Sequence, residues 1–501
     1  MYEIGADLMK YGLSKSRYCS GLQCPKMLWL KKNVPEAFDD SCMNQSVLDT
    51  GLAVGDLAMG LFGDFTEVPF GDLSEMIAKT GQLMEQETPV IAEASFSYDG
   101  LFCSVDILKN LGNKQVALYE VKSSTGVKEV YHHDASFQCY ILSKLGYTVV
   151  SCNIVHINNQ YVRHGELDIH QLFTIADITV QAQQLQKEIG GNIAYIRQYM
   201  EQPTEPTDDI GMHCFSPYDC GFFEYCTRHL PKPNVFDVGG IHKDKAIEYY
   251  RKGMASFEAL DASDVLSANQ YMQIEHEVHP CPPRADIKNI KAFLKKLTYP
   301  IYFFDFESFQ PAIPPYDDTH PFQQIVFQYS LHYIEYEGGP LMHKEFLAYP
   351  GEDPRRALAE QMCADIPKDV CVVAYNMTFE KTQTKGLADL YPDLREHLMN
   401  IHDHFVDLMV PFRSKWYYCR AMQGSYSIKY VLPALFPDDP ELDYHNLEGI
   451  HHGGEASAAF GNMAHMTPEE LETTRQQLLA YCGLDTYALV KVWDKLKEIC
   501  R

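Results

Sequence analysis

A chain of 501 residues exceeds what one hydrophobic core ordinarily serves, so two or three domains are expected. Its 46% hydrophobic and 22% charged content suits a soluble globular protein: no apolar run is long enough to span a bilayer. A net charge of −26 argues against a protein that grips nucleic acid by overall attraction, though not against an enzyme whose acids are screened by metal beside a local basic patch. The start of the chain, "MYEIGADLMKYGLSKSRYC", has no apolar stretch of the kind a signal peptide needs. Fifteen cysteines, an odd number scattered singly or in one late group, argue for reduced thiols and a cytoplasmic setting.

Residues 1–232 alternate helical and strand-like patterns and close in a Cys-rich loop, "GMHCFSPYDCGFFEYCTRHLPKP". Within them "LFCSVDILKN" reads as a strand with Asp106 at or after its end, and "VALYEVK" as the next. Strand alternation puts Glu120 and Lys122 on one face. Two acids for a metal and a lysine for phosphate or water form a minimal nuclease centre. In the helix that follows, Asp134 and Gln138 stand at i, i+4. Cys214, Cys220 and Cys226 are separated by five residues each, and Cys24 precedes Pro25 near the start, with Cys19 its rival. Four thiolates suit [4Fe–4S] or zinc by count; the wide spacing, without a C-x-x-C knuckle, favours iron–sulfur.

Prolines 231 and 233 mark a boundary, and residues 233–296 read as a helical linker containing "KDKAIEYYRKGMASFEAL" and the break "HPCPPRAD". An α/β pattern resumes over 297–501 with the strands "IYFFDFES", "QIVFQYSLHYIEY" and "CVVAYN". In the first of these Asp305 and Glu307 share a face, while Phe304 and Phe306 point the other way. Two carboxylates side by side against an apolar wall repel each other and lose hydration, and no lysine or arginine lies within the strand. A divalent metal would compensate them. Further acids stand in "YNMTFEKTQ", with Asn376 at a plausible N-cap and Glu380 in the first turn; in "DHFVDLMVPF", with Asp407; and in "LLAYCGLDTYALVKVW", with Tyr481 and Asp485 at i, i+4. Between the last two, "GSYSIKYVLPALFP" offers Ser425, Ser427 and Lys429 as holders of phosphate.

The order D-x-E, N-x-x-F-E, Y-x-x-x-D resembles the DnaQ-like 3′–5′ exonucleases. That resemblance implies a ribonuclease-H-like mixed sheet over 297–501 and two divalent metals, Mg²⁺ or Mn²⁺, on Asp305, Glu307, Glu380 and Asp485. Tyr481 would position water, and Glu380 stands where Asp is more usual. Hard oxygen ligands match such ions. Residues 1–232 resemble the RecB-like PD-(D/E)xK nucleases, including those with an iron–sulfur cluster. This implies a restriction-endonuclease-like α/β/α domain, with Asp106, Glu120 and Lys122 as its core motif and Asp106 and Glu120 on metal. Gln138 with Tyr140 would be the downstream motif, and Cys24, Cys214, Cys220 and Cys226 would hold [4Fe–4S]. Many relatives carry a helix His upstream, where "TGLAVGDLA" has Gly55; Glu93 is a substitute. The full arrangement is similar to a bacterial family of unknown function carrying both domains.

The expectation is a cytoplasmic, metal-dependent nuclease acting on DNA, with no membrane association. Its alternatives are an RNA-processing exonuclease, and a nucleic-acid-binding scaffold whose N-terminal domain is inactive.

Overall fold

The computed structural model describes residues 12–42, 45–279 and 281–501, so most of the N-terminal stretch read for a signal peptide lies outside the described residues. The protein is an α/β chain with mixed sheets that divides into two units. One runs to His229 and includes Pro311–Gln323; the other comprises Leu230–Gln310 and Gln324–Arg501, so the stretch 233–296 is part of its body. Among the described residues no helix is long and apolar enough to cross a membrane.

The first unit is built on seven strands: β1 (Leu13–Ser14), β2 (Thr66–Glu67), β3 (Val90–Tyr98), β4 (Leu101–Asn110), β5 (Gln115–Lys122), β6 (Thr148–Ile157) and β7 (Phe173–Asp177). They run in the order β2-β3-β4-β5-β6-β7, with β1 pairing parallel to β4. β3 and β4 form a hairpin through Asp99 (φ 48°) and Gly100 (φ 69°), the left-handed pair that a two-residue turn requires and that Asp-Gly supplies cheaply. β5 and β6 are parallel, and the connection between them contains the helix Glu129–Lys144. That helix shares a core with Leu118 of β5, whereas Val54 and Ala58 of the helix Gln45–Met59 pack with Tyr119 and Val121. Alternation along β5 therefore puts Glu120 and Lys122 on the side of Glu129–Lys144. Gly55, on the other helix, belongs to the opposite face.

The second unit adds β8 (Arg284–Ala285), β9 (Ile301–Phe309), β10 (Ile325–Ile334), β11 (Met342–Leu347), β12 (Cys371–Ala374), β13 (Phe405–Asp407) and β14 (Tyr417–Tyr418). Five make one sheet, β11-β10-β9-β12-β13, antiparallel as far as β9 and parallel from β9 to β13; β8 and β14 form a separate pair. Both faces of β9 are covered. Tyr302, Phe304 and Phe306 enter one core with Leu358, Leu387 and Leu398, while Ile301 and Phe303 enter another with Leu489 and Trp493 of the long helix Pro468–Ile499. That helix starts on a capping box between Thr467 and Glu470, with Pro468 in the first turn, where its missing N–H costs nothing.

Two local expectations fail. Asn376 is no N-cap: the helix Thr378–Leu390 is preceded by Met377, and Asn376 takes φ 65° and donates its N–H to Asp407 Oδ1 at 2.9 Å. A buried acid held that way outcompetes an ordinary cap. Asp106 lies inside β4, which runs on to Asn110, rather than at its end.

Candidate functional site

Along β9 the face that begins with Ile301 and Phe303 continues with Asp305 and Glu307. Opposite it, the helix Pro468–Ile499 runs the other way: Trp493 lies against Phe303 with ring centroids 5.5 Å apart, and further toward the helix start stand Asp485, Cys482 and Tyr481. Where the aromatic packing ends, acid meets acid. Donor atoms of Asp305, Glu307 and Cys482 all fall within 4.8 Å of one another. Cys482 Sγ donates to the Asp305 carbonyl oxygen at 3.9 Å, and burial with Asp305 beside it pushes the thiol well up, so it serves as a protonated neighbour.

Glu380, from the first turn of the helix Thr378–Leu390, joins this group from the β12 side; it is buried, and its Oε2 has no hydrogen-bond partner. Burial, then Asp485, Glu307 and Glu380 in turn, raise Asp305 well above the usual carboxylate range; burial and Asp485 do the same to Glu307. Burial, with Asp407 adding to it, pushes Glu380 up to about 8. Asp485 is pushed by burial to about 6, moderated by hydrogen bonds from Tyr444 and Tyr481 and by Lys429. Among the described residues no lysine or arginine pairs with any of these four acids.

Two like charges at 4 Å repel by roughly 4 kcal/mol at the effective dielectric of a protein site. A hydrogen bond to a charged group returns only about 1.5–3 kcal/mol. Tyr444, which donates to Asp485 Oδ1 at 2.6 Å, therefore cannot offset the cluster alone. The four acids fit a divalent cation: a buried carboxylate oxygen lacks any partner, the donors are hard oxygens, and among the described residues no lysine or arginine forms an ion pair with them. Asp407 is otherwise engaged, its Oδ1 accepting from Asn376 and from Met409 N–H at 3.0 Å. A cavity of about 830 Å³ opens on Asp485, Tyr481 and Tyr444 and includes Lys429 in its wall. Of the proposed phosphate holders, Lys429 faces the acids, whereas Ser427 begins the helix Ile428–Leu435 and Ser425 Oγ accepts its N–H at 3.1 Å.

The second group of acids is in the first unit. Glu120 is almost fully buried, and its Oε1 lies 2.7 Å from both Lys15 Nζ and Lys122 Nζ, while Gln138 Nε2 donates to its Oε2 at 2.6 Å. Lys122 also reaches Asp134 Oδ2 at 2.5 Å, and Asp106 Oδ2 accepts the Val121 N–H at 2.7 Å. Lys15, the first residue of the helix Lys15–Gln23, stands 3.9 Å from Asp106 and Asp134 as well. Burial opposes the charge of Glu120, but Lys122 and Lys15 outweigh it and hold the carboxyl well below its usual range. Asp106 is pushed by burial and Glu120 to about 7, more than the ammonium groups of Lys15 and Lys122 offset. Glu93 is at the edge of this group, accepting from Ser104 Oγ at 3.0 Å and raised by burial. Tyr140 points away from it, toward Gly190 of the helix Thr179–Met200.

The cysteines separate cleanly. Burial and Asp134 push Cys19 to about 12, with Lys122 and Lys15 also beside it, so it belongs to the acid site. Cys24, Cys214, Cys220 and Cys226 instead oppose one another's ionisation, and burial with Cys220, Cys214 and Cys24 nearby raises Cys226 to about 11. Cys24, Cys220 and Cys226 pack around Phe222 and Trp29.

Residues 302–427 match a family model described as "Domain of unknown function (DUF2779)", a span that includes Asp305, Glu307, Glu380 and Asp407 and ends before Tyr444, Tyr481 and Asp485. The chain is 26% identical over 218 residues to "Uncharacterized protein UU173" of Ureaplasma parvum serovar 3, covering 39% of this chain and 31% of that protein. No solved structure matches.

Proposed function

We propose that the chain is a metal-dependent nuclease that hydrolyses phosphodiester bonds of DNA, with a DnaQ-like 3′–5′ exonuclease centre in the second unit. One observation carries the reading: four carboxylates from three elements, Asp305, Glu307, Glu380 and Asp485, converge, and among the described residues no lysine or arginine forms an ion pair with them. These four would hold Mg²⁺ or Mn²⁺, which when bound lowers the pKa of water and stabilises the leaving oxygen. Tyr444 fixes Asp485 through its hydrogen bond. Tyr481, one turn before Asp485, is held protonated by burial and that acid; with its proton directed at Asp485, its hydroxyl oxygen can orient a water as acceptor. Lys429 stands in the adjoining cavity to meet phosphate.

The purified chain should trim 3′-ends of labelled single-stranded DNA with Mn²⁺ and not with EDTA. Trimming of RNA alone would move the reading to RNA processing; inactivity on single strands, duplex and RNA under both metals would overturn it.

In the first unit, Asp106, Glu120, Lys122 and Gln138 support a second, RecB-like centre of the restriction-endonuclease-like type. Lys15 favours a different reading of that unit, as a binding module, because its ammonium already stands among Asp106, Glu120 and Asp134. Lys122→Ala decides: unchanged products on every substrate would leave only binding. Cys24, Cys214, Cys220 and Cys226 would hold a [4Fe–4S] cluster, giving brown anaerobic protein with roughly four irons per chain. Stoichiometric zinc without iron would overturn that assignment.

A further inference from the structure

The helix Ile428–Leu435 has a cavity on each side. Ile428 and Lys429 line the one beside the acids, whereas Ser425, Tyr426 and Tyr430 line another of about 1330 Å³, walled also by the segments 232–240, 267–277 and 413–424. Hydrolysis at the acids makes no use of this second cavity.

It is firmly built. Gln273 bridges its two main loops: Oε1 accepts the Gly239 N–H at 2.7 Å, and Nε2 donates to the carbonyls of Asp237 at 2.9 Å and Gln423 at 3.2 Å. A Cβ on Gly424, whose φ is +77°, would lie 2.2 Å from Gln273 Oε1, so the bridge leaves no room for a side chain there. The cavity is therefore preformed.

Its charge is unbalanced. Lys415 lines the wall at 4% exposure, with Nζ 2.9 Å from the Gly424 carbonyl oxygen and 4.2 Å from the Tyr418 ring centroid. No carboxylate pairs with it among the described residues. The lining acids are engaged elsewhere: Asp237 Oδ2 accepts the Asn234 N–H at 2.8 Å, and Glu277 takes both arms of Arg420 at 2.7 and 2.6 Å. Burial lowers Lys415 to about 8. An ammonium has three donors, and an apolar side chain would occupy this position at lower cost unless an anion answers it. Arg413, half-exposed and with one guanidinium nitrogen 3.8 Å from Asp407 Oδ2, is on the same wall, and Tyr426 and Tyr430 are each 43% exposed. Cations beside open aromatic faces match phosphate joined to a planar base.

We propose that this cavity binds a nucleotide, with its phosphate on Lys415 and Arg413 and its base against Tyr426 or Tyr430. The nucleotide is either a unit of the strand being trimmed, which rests on the nuclease reading, or a free mononucleotide, which does not. Both present the same chemistry.

Anisotropy of a labelled 12-nucleotide single strand, and competition by dAMP, would be measured in EDTA on full-length Asp305→Asn protein, with Lys415→Met or Tyr430→Ala added. Each addition should weaken binding about tenfold or more. Lys415→Met should melt no lower than its parent, because the lysine it removes serves the ligand and not the fold. Loss for the 12-mer alone assigns a strand unit; equal loss for dAMP assigns a free nucleotide. Unchanged binding of both probes in both variants overturns the proposal, as does a Lys415→Met protein that melts lower and binds normally. Trimming by wild-type protein is scored separately. Its absence alongside intact cavity binding sinks only the nuclease reading.

Discussion

In the first unit Glu120 lies 2.7 Å from each of two lysines, whereas in the second Asp305, Glu307, Glu380 and Asp485 have none in pairing distance among the described residues. Both groups are buried acids on a mixed sheet beneath a helix. The first is neutralised from within, by Lys122 two residues along the same strand and by Lys15 from the other end of the unit. Its fold needs no ligand to be electrostatically tolerable, and a metal could enter only by displacing an ammonium. The second keeps its acids protonated or awaits a cation from solution. Similar residue types thus describe a self-contained ion-pair network in one place and an acid cluster without a paired lysine or arginine among the described residues in the other.

The sharpest way to break this contrast is Asp305→Ala in protein already carrying Lys122→Ala. Mn²⁺-dependent 3′-trimming should fall more than about 100-fold, beyond the 10–100-fold typical of groups that merely orient metal ligands. Rates like those of the parent would end the assignment of the second unit. Melting with and without Mn²⁺ adds a readout independent of catalysis. At 100 times the dissociation constant, binding to the folded state stabilises by about 2.7 kcal/mol. That gain should vanish in Glu307→Ala and persist in Asp106→Asn. The reverse pattern would place the metal in the first unit.

Lys15→Met probes the other side of the comparison. Removing one partner of a buried pair costs about 3–5 kcal/mol when a charge is left alone, and less here because Lys122 remains on Glu120. With the ammonium gone, Asp106, Glu120 and Asp134 should take up an additional Mn²⁺, visible by titration calorimetry as a raised stoichiometry. No change in stoichiometry would mean that Lys15 does not stand in a cation's place. A smaller effect is expected from Tyr444→Phe, which removes one hydrogen bond to Asp485; trimming should slow roughly tenfold, matching the low end for lost orienting groups. Tyr481→Phe should be no more severe, and a greater loss there than in Asp305→Ala would contradict its role as a water-orienting group.

The parts of the two sites that were legible in the sequence are those that repeat locally. Period-two alternation put Asp305 with Glu307 and Glu120 with Lys122, and the structure keeps both pairs on one face. Helical spacing put Tyr481 one turn from Asp485. Lys15 is 105 residues from Glu120, and Tyr444 is 41 from Asp485 in a single 3-10 turn. No periodicity links residues that distant, so only tertiary packing shows that one cancels the acids and the other anchors one of them. Asn376 misled for a related reason. Its type and place suit an N-cap, but a buried carboxylate on the neighbouring strand holds its N–H and turns the backbone left-handed. Gln273 and Lys415 gave no local signal, because the cavity they shape is closed by segments about 140 residues apart in sequence.

Lys415 carries the smallest effect, and its sign can be worked out. Burial lowers its folded-state value to about 8 from 10.5. Below about pH 8 both folded and unfolded chains hold the proton, and the folded state bears the full cost of a buried ammonium. Between about 8 and 10.5 the unfolded chain keeps a proton that the folded chain has released, so this group's contribution to stability rises with pH across that window. Lys415→Met removes the cost at every pH. The variant should therefore melt higher than wild type near pH 7, and the gap should narrow as pH climbs toward 10. A bound nucleotide phosphate would favour the charged lysine, raise its value and flatten the slope. A gap independent of pH, without ligand, would show that the ammonium is not strained by burial and remove the reason for an anion in that cavity.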